Sequence, residues 1–270
     1  MKSAALAIAC AVVLALAGVS SVSAQSARAP GPDAPIPRTA DGHPDFSGVW
    51  WPGQDITPAT STAVWQADQL EGVRFPPGTF GSLYQPWAAA KAKTLSDKDD
   101  PALHCIPSIS PNPIVGNGMV GEFIQTPKLM ILLVETYHTF RLIPTDGRPH
   151  RDDVVPSFHG DSVGRWEGDT LVVDVTNFSD RNWMEHHGRV SFHSDGLHII
   201  ERYRLINGNT IEVDMTAEDP KVLTGPYKRK SMLIRAPFEH VMETSCENVQ
   251  TAGLIEAAAK DNYGKKKAAD

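Results

Sequence analysis

From Gly121 onward the chain alternates between short β-rich runs and tight-turn signals, and few architectures accept that rhythm. Residues 123–126 and 129–143 read as strands, the second long enough to bend or break near Thr136. Asp146-Gly147 marks a turn. Residues 162–166 and 170–176 form a hairpin across Glu167-Gly168-Asp169, and 197–206 and 210–217 form another across Asn207-Gly208-Asn209. A third is expected between 227–235 and 238–246 across Ala236-Pro237. About eight strands joined mostly by short turns would leave exposed edges unless the sheet closed on itself. The expectation is an all-β, antiparallel up-and-down β-barrel in one domain over residues 45–248. An irregular N-terminal part includes one helix near 86–96, and a C-terminal helix is expected at 249–260 within a tail at 249–270.

The N-terminus reads as a secretory leader. Lys2 precedes an apolar run from about Ala4 to Val19, followed by Val22-Ser23-Ala24, which places cleavage after Ala24. The run is short for a membrane span. Residues 25–44, rich in Pro, Ala and Gly, read as a flexible linker. The expected address is periplasmic or secreted. In that compartment the two cysteines of the mature chain, Cys105 and Cys246, suggest a disulfide. It would close a loop of 246 − 105 = 141 residues, worth about 5 kcal/mol by chain entropy.

Net charge is −7 with both signs interspersed, and there is no basic stripe, which argues against nucleic acid as a partner. Asp45-Phe46-Ser47-Gly48-Val49-Trp50-Trp51 is a short strand whose Gly-x-Trp is similar to the start of lipocalin barrels, where the Trp plugs one end.

Strand parity then sorts side chains into two faces. In 210–217, Ile211, Val213 and Met215 oppose Glu212, Asp214 and Thr216. In 197–206, Glu201 and Tyr203 share the more apolar face with Leu197, Ile199 and Leu205, so Glu201 is placed inside. Read as one continuous strand, 129–143 puts Glu135, Tyr137 and Arg141 on a common face as well. An interior charge must be paired or hydrated. Two readings follow: a buried ion-pair network that fixes the barrel, or the polar floor of a ligand pocket, built from Glu135, Tyr137, Arg141 and Tyr203. Trp183, on a polar loop, is the aromatic placed to stack on a ligand.

Seven of the ten histidines lie between His138 and His198. In His193-Ser194-Asp195-Gly196-Leu197-His198-Ile199-Ile200-Glu201, imidazoles stand close in sequence to carboxylates, the pairing that general acid–base chemistry uses. His193, Asp195, His198 and Glu201 are therefore the candidate catalytic set. A divalent metal is the competing use of the same residue types, with His186-His187 on a loop. No H-E-x-x-H, paired CxxC or EF-hand spacing specifies a metal or other cofactor. Ser162 in Gly160-Asp161-Ser162 lacks the strand-to-helix context that a hydrolase nucleophile needs.

The strings GDSVGRWEGDTLVVDVTNF (160–178), HSDGLHIIER (193–202) and Glu218-Asp219-Pro220 resemble a large, essentially uncharacterised family of exported bacterial proteins. The resemblance spans about residues 45–248 and implies a shared fold and site, without supplying a reaction. Three functions stand open. The first is binding of a small organic molecule inside the barrel. The second is a lyase, isomerase or hydrolase at its mouth. The third is a structural envelope protein with a packed barrel. A small-molecule ligand is the expected partner, with no membrane span.

Overall fold

The computed structural model describes residues 34–52, 78–109, 120–184, 190–237 and 239–243. Among the described residues, nine strands form one sheet: β1 (Gly48–Trp51), β2 (Gly121–Thr126), β3 (Leu129–Val134), β4 (Thr139–Pro144), β5 (Asp161–Glu167), β6 (Thr170–Thr176), β7 (His198–Asn207), β8 (Thr210–Glu218) and β9 (Tyr227–Arg235). Their order is β4-β3-β2-β1-β9-β8-β7-β6-β5, each neighbouring pair antiparallel. Read around the barrel, this is the chain order closed on itself by β1 against β9. The expected up-and-down β-barrel is the observed architecture.

Nine is an odd number, and that decides how the barrel closes. Eight reversals separate β4 from β5, so the two strands run in the same sense and no antiparallel ladder joins them. The seam is filled by side chains. The Arg141 Nη2 donates to Ser162 Oγ at 3.0 Å. A Cβ on Gly164 would stand 3.0 Å from Ile143 Cγ2 and 3.0 Å from Thr145 Cγ2, so glycine lets the two strands approach.

Parity holds along β7 and β8. Leu197, Ile199, Glu201, Tyr203 and Leu205 are buried, as are Ile211, Val213 and Met215. Glu212 and Asp214 face outward toward Lys230, and Glu212 also toward Arg204. The expected long strand is instead a hairpin, broken beside Thr136 by two residues in the left-handed region, Tyr137 (φ 62) and His138 (φ 50). The turn resets the alternation. Leu132 and Val134 of β3 face inward, as do Arg141 and Ile143 of β4, whereas Phe140 and Leu142 are exposed. Residues 239–243 form no strand, contrary to the third expected hairpin, because β1 already occupies the free edge of β9. The rest of that segment, the expected tail helix and the leader lie outside the described residues.

The barrel end that carries the β5–β6 and β7–β8 turns is closed by the segment preceding β1. Residues 34–44, assigned to the linker on composition, are docked. Ala34 O accepts from Gly208 N at 2.8 Å, Arg38 pairs with Asp169 at 2.7 Å, and His43 stacks on Trp166 at 4.3 Å. These partners are distant in sequence, so composition could not reveal them. Trp50 is fully buried, donates to Phe46 O at 2.8 Å, and carries the Arg235 guanidinium 4.3 Å above its ring.

Helix α1 (Pro86–Ala92) begins at its proline, as expected, and buries Ala88 and Ala92. It stops before Ser96 because Thr94 turns back, with both its N–H and its hydroxyl bonded to Lys91 O. Tyr84, just before it, donates to Phe192 O, and Gln85 N donates to Val222 O, so this unit sits at the opposite, polar end of the barrel.

Candidate functional site

At the polar end the inward positions of β4, β5 and β7 converge. Arg141 Nη1 donates to both oxygens of Glu201, at 3.0 and 2.9 Å. Tyr203 OH donates to Glu201 Oε2 at 3.1 Å. The ion pair is deeply buried, with side-chain exposures of 5% and 4%. Burial pulls Arg141 down most strongly, but Glu201 and Tyr203 together outweigh it and the guanidinium stays charged. Burial, then the Glu201 charge, pushes the Tyr203 hydroxyl far above its ordinary range, so it remains a donor.

His159 enters the same region from the crossover between β4 and β5. Gly160, which follows it, has φ +69, and a Cβ there would lie 2.6 Å from Thr176 O. Only glycine gives that sharp entry into β5 without strain. Burial, and then the Arg141 charge, pull the His159 imidazole down to about 4, so it is neutral at pH 7. Among the described residues, two buried polar atoms here have no hydrogen-bond partner: Arg141 Nε and His159 Nε2. Both side chains line one void of about 10 Å³, with Glu201 as its third polar wall and Ile109, Val175, Phe178 and Ile199 as its apolar walls. A polar cavity of that size holds about one water.

The cover over this void is the segment after the 3-10 turn Pro101–His104. Ile109 N donates to Trp183 O at 2.9 Å, and Asn182 Nδ2 donates to Pro107 O at 2.9 Å. Asn182 Nδ2 also reaches Phe158 O at 3.0 Å, tying the cover to the His159 loop.

Of the residues expected to bind a ligand, Arg141 and Tyr203 stand with Glu201 in the interior. Glu135 and Tyr137 do not, because the turn carries them to the rim. Glu135 Oε2 accepts from Met242 N at 3.2 Å, and Tyr137 OH donates to Ala102 O at 3.4 Å. Trp183 is a core residue, 5% exposed, rather than a stacking platform. Cys105 caps the 3-10 turn in a left-handed conformation, and Cys246 lies outside the described residues. So do His186 and His187.

The four candidate catalytic residues are not brought together. Glu201 faces in, whereas His198, three residues earlier in the same strand, faces out and bonds Asp174 Oδ1 at 2.8 Å. Asp195 is exposed and paired with Lys221 at 2.7 Å. The carboxylate that organises the strand entry is Asp219, which accepts from Ser194 N at 2.7 Å and Ser194 Oγ at 2.8 Å. His193 is buried edge-on to Phe178, with Nδ1 2.8 Å from Ser194 O and Nε2 3.2 Å from Asn182 Oδ1. Burial chiefly lowers its affinity for a proton. It supports the wall of the void from behind Phe178 and does not line it.

A second polar network lies on the outer wall. His150 Nδ1 meets Asp161 Oδ2 at 3.0 Å, and its Nε2 meets Asp174 Oδ1 at 3.1 Å, the same oxygen that His198 contacts. Arg151 Nε donates to Asp161 Oδ1 at 2.8 Å. This clasp pins the β4–β5 crossover, and hence His159, to the barrel wall. Parity of β6 and β7 places Asp174 and His198 on one face, but nothing local in the sequence brings His150 to them. Among the described residues, no group of three or more His, Cys, Asp or Glu side chains is arranged to hold a metal ion. No described helix is long and apolar enough to cross a membrane.

No family model matches the chain, and no curated protein matches it. Among solved structures, a mutant of the fluorescent protein UnaG is similar at 15% identity, covering 52% of this chain and 89% of that one with a TM-score of 0.28. Wild-type UnaG gives 15% identity, 50% and 86% coverage, and a TM-score of 0.27. The barrel assignment rests on the ladders and the seam, and the likeness adds nothing to it.

Proposed function

We propose that the protein is an exported barrel that binds a small molecule at its polar end. One observation carries this reading: Arg141 Nε and His159 Nε2 are buried without a hydrogen-bond partner among the described residues, and the two side chains line a common void. Leaving buried polar atoms unmade costs about 1–3 kcal/mol each, so a fold that keeps two of them around one space has a use for what completes them. The ligand's polar end takes that space, and its body takes the place of Ile109 beneath the cover. The cover is held there by two backbone-directed bonds, one to Trp183 O and one from Asn182.

The leader at residues 1–24 and the cysteine pair support export to the periplasm or beyond. The proposed Cys105–Cys246 bridge fits the β3–β4 turn, which gathers Ala102 through Tyr137 and Met242 through Glu135. An intact mass beginning at Gln25 and two hydrogens lighter than the reduced chain tests both points.

The filled interior favours a second reading, a packed barrel with no ligand. Trp50, Tyr203, Phe123, Met130 and Leu132 are all fully buried, and the polar void is only about 10 Å³. Native mass spectrometry of the exported protein, purified without denaturant, separates the two. A retained small molecule, released by organic solvent and absent from a His159→Phe variant, supports binding. A bare chain mass in every preparation leaves the packed barrel.

A further inference from the structure

We infer that the group recognised in the void beside Arg141 is a single uncharged oxygen, a hydroxyl or carbonyl, carried on an apolar body. This rests on the binding reading above and narrows it to a chemical class.

Size comes first. A space that accepts about one water accepts one oxygen of a ligand and not a two-oxygen carboxylate or a phosphate. Hydrogen-bonding polarity comes second. Arg141 Nε–H can only donate, so the incoming atom must accept. His159 Nε2 is neutral and, depending on its tautomer, donates or accepts. A carbonyl oxygen accepts from both nitrogens, and a hydroxyl accepts from Arg141 while donating to His159. Either one completes both unpartnered atoms.

Charge comes third. The Arg141–Glu201 pair is already balanced, and the Glu201 oxygens are occupied by Arg141 Nη1 and Tyr203 OH. A carboxylate would bring a second negative charge next to Glu201 with no counter-charge beyond the one Glu201 already uses. An ammonium would set a cation against a guanidinium and a donor against a donor. Burying such an unbalanced charge is strongly disfavoured, whereas an uncharged oxygen adds none. With Ile109 displaced by the ligand body, the remaining walls, Val175, Phe178 and Ile199, are apolar, so the carbon next to that oxygen meets hydrocarbon.

The test uses the full-length mature protein at pH 7.5 and four probes of one shape: cyclohexanol, cyclohexanone, cyclohexanecarboxylate and cyclohexylamine. Ligand-observed NMR titration gives their relative affinities. The expected result is that the alcohol or the ketone binds at least tenfold more tightly than both charged probes, and that His159→Phe reduces this preference at least fivefold. A carboxylate or amine that binds as tightly as the neutral probes overturns the assignment of class while leaving the polar end as a binding site. If none of the four binds and the exported protein carries no retained molecule, the binding reading fails and this inference fails with it.

Discussion

Glu201→Gln is the most informative single change in the barrel. It preserves shape and one carbonyl acceptor and removes the charge opposite Arg141. Both Glu201 oxygens now take Arg141 Nη1, at 3.0 and 2.9 Å, and Oε2 also takes Tyr203 OH at 3.1 Å. A glutamine cannot satisfy all three, because its amide nitrogen must face one donor. Arg141 is 5% exposed, and the void beside it holds no more than about one water, so its charge is not rehydrated in place of the carboxylate. Breaking one side of a buried pair costs about 3–5 kcal/mol, and the acceptor that glutamine keeps places this change near the low end, at about 3 kcal/mol. For a domain of this size that corresponds to a fall in Tm of about 6–12 °C. Urea denaturation followed by tryptophan fluorescence gives the free energy directly. The double variant Arg141→Met with Glu201→Leu removes both charges and should recover to within about 2 kcal/mol of the parent, since a buried pair replaced by apolar residues is often near neutral. A Glu201→Gln loss below about 1 kcal/mol with an unchanged denaturant slope would refute the argument. It would mean that water reaches Arg141 and that the pair is not a dry one.

Three further outcomes follow from the geometry. The folded-state pKa of His159 is about 4 against an ordinary 6.5, so the unfolded chain takes up the proton first. This contribution is fully present above pH 6.5 and is lost as pH falls toward 4, by about 3 kcal/mol in all; chemical denaturation between pH 7.5 and 4 should show that slope, reduced in His159→Phe. Gly164→Val forces a branched side chain into a seam where even a Cβ meets two methyls at 3.0 Å, and should destabilise by about 1–3 kcal/mol in the same denaturation assay. Asp195→Ala removes only an exposed contact to Lys221 and should leave Tm and ligand retention unchanged; a loss of retention would return Asp195 to the site.

The parts of the fold that the sequence made legible are those governed by local rules. Alternation in β7 and β8, with Asn207-Gly208-Asn209 between them, fixes both the hairpin and its faces. The inward position of Glu201 and Tyr203 follows from it. The β3–β4 turn shows the limit of that logic. One unbroken alternation places Glu135, Tyr137 and Arg141 together, but left-handed Tyr137 and His138 interrupt it, so Arg141 is inside and Glu135 is at the rim. The pairing of β1 with β9 has no signal near either strand, and local pattern makes residues after β9 look like its partner instead. The acid–base set failed for a related reason. Closeness in sequence puts His198 beside Glu201, while parity sends them to opposite faces. His159 has no local sequence signal that sets it apart from the other histidines. Its role depends on Gly160 and on a distant Arg141.

If Arg141 Nε–H is a donor held open for a ligand, as proposed, its own NMR resonance must respond when that ligand binds. In a 1H–15N spectrum of the full-length mature protein, titrated with cyclohexanol at pH 7.5, the Arg141 Nε–H signal should move while that of Arg235, whose Nε already donates to Gly208 O at 3.2 Å, stays fixed. An Arg141 signal that stays fixed at saturating cyclohexanol, and that is also the same in protein carrying its retained molecule and in protein stripped of it, would contradict the claim.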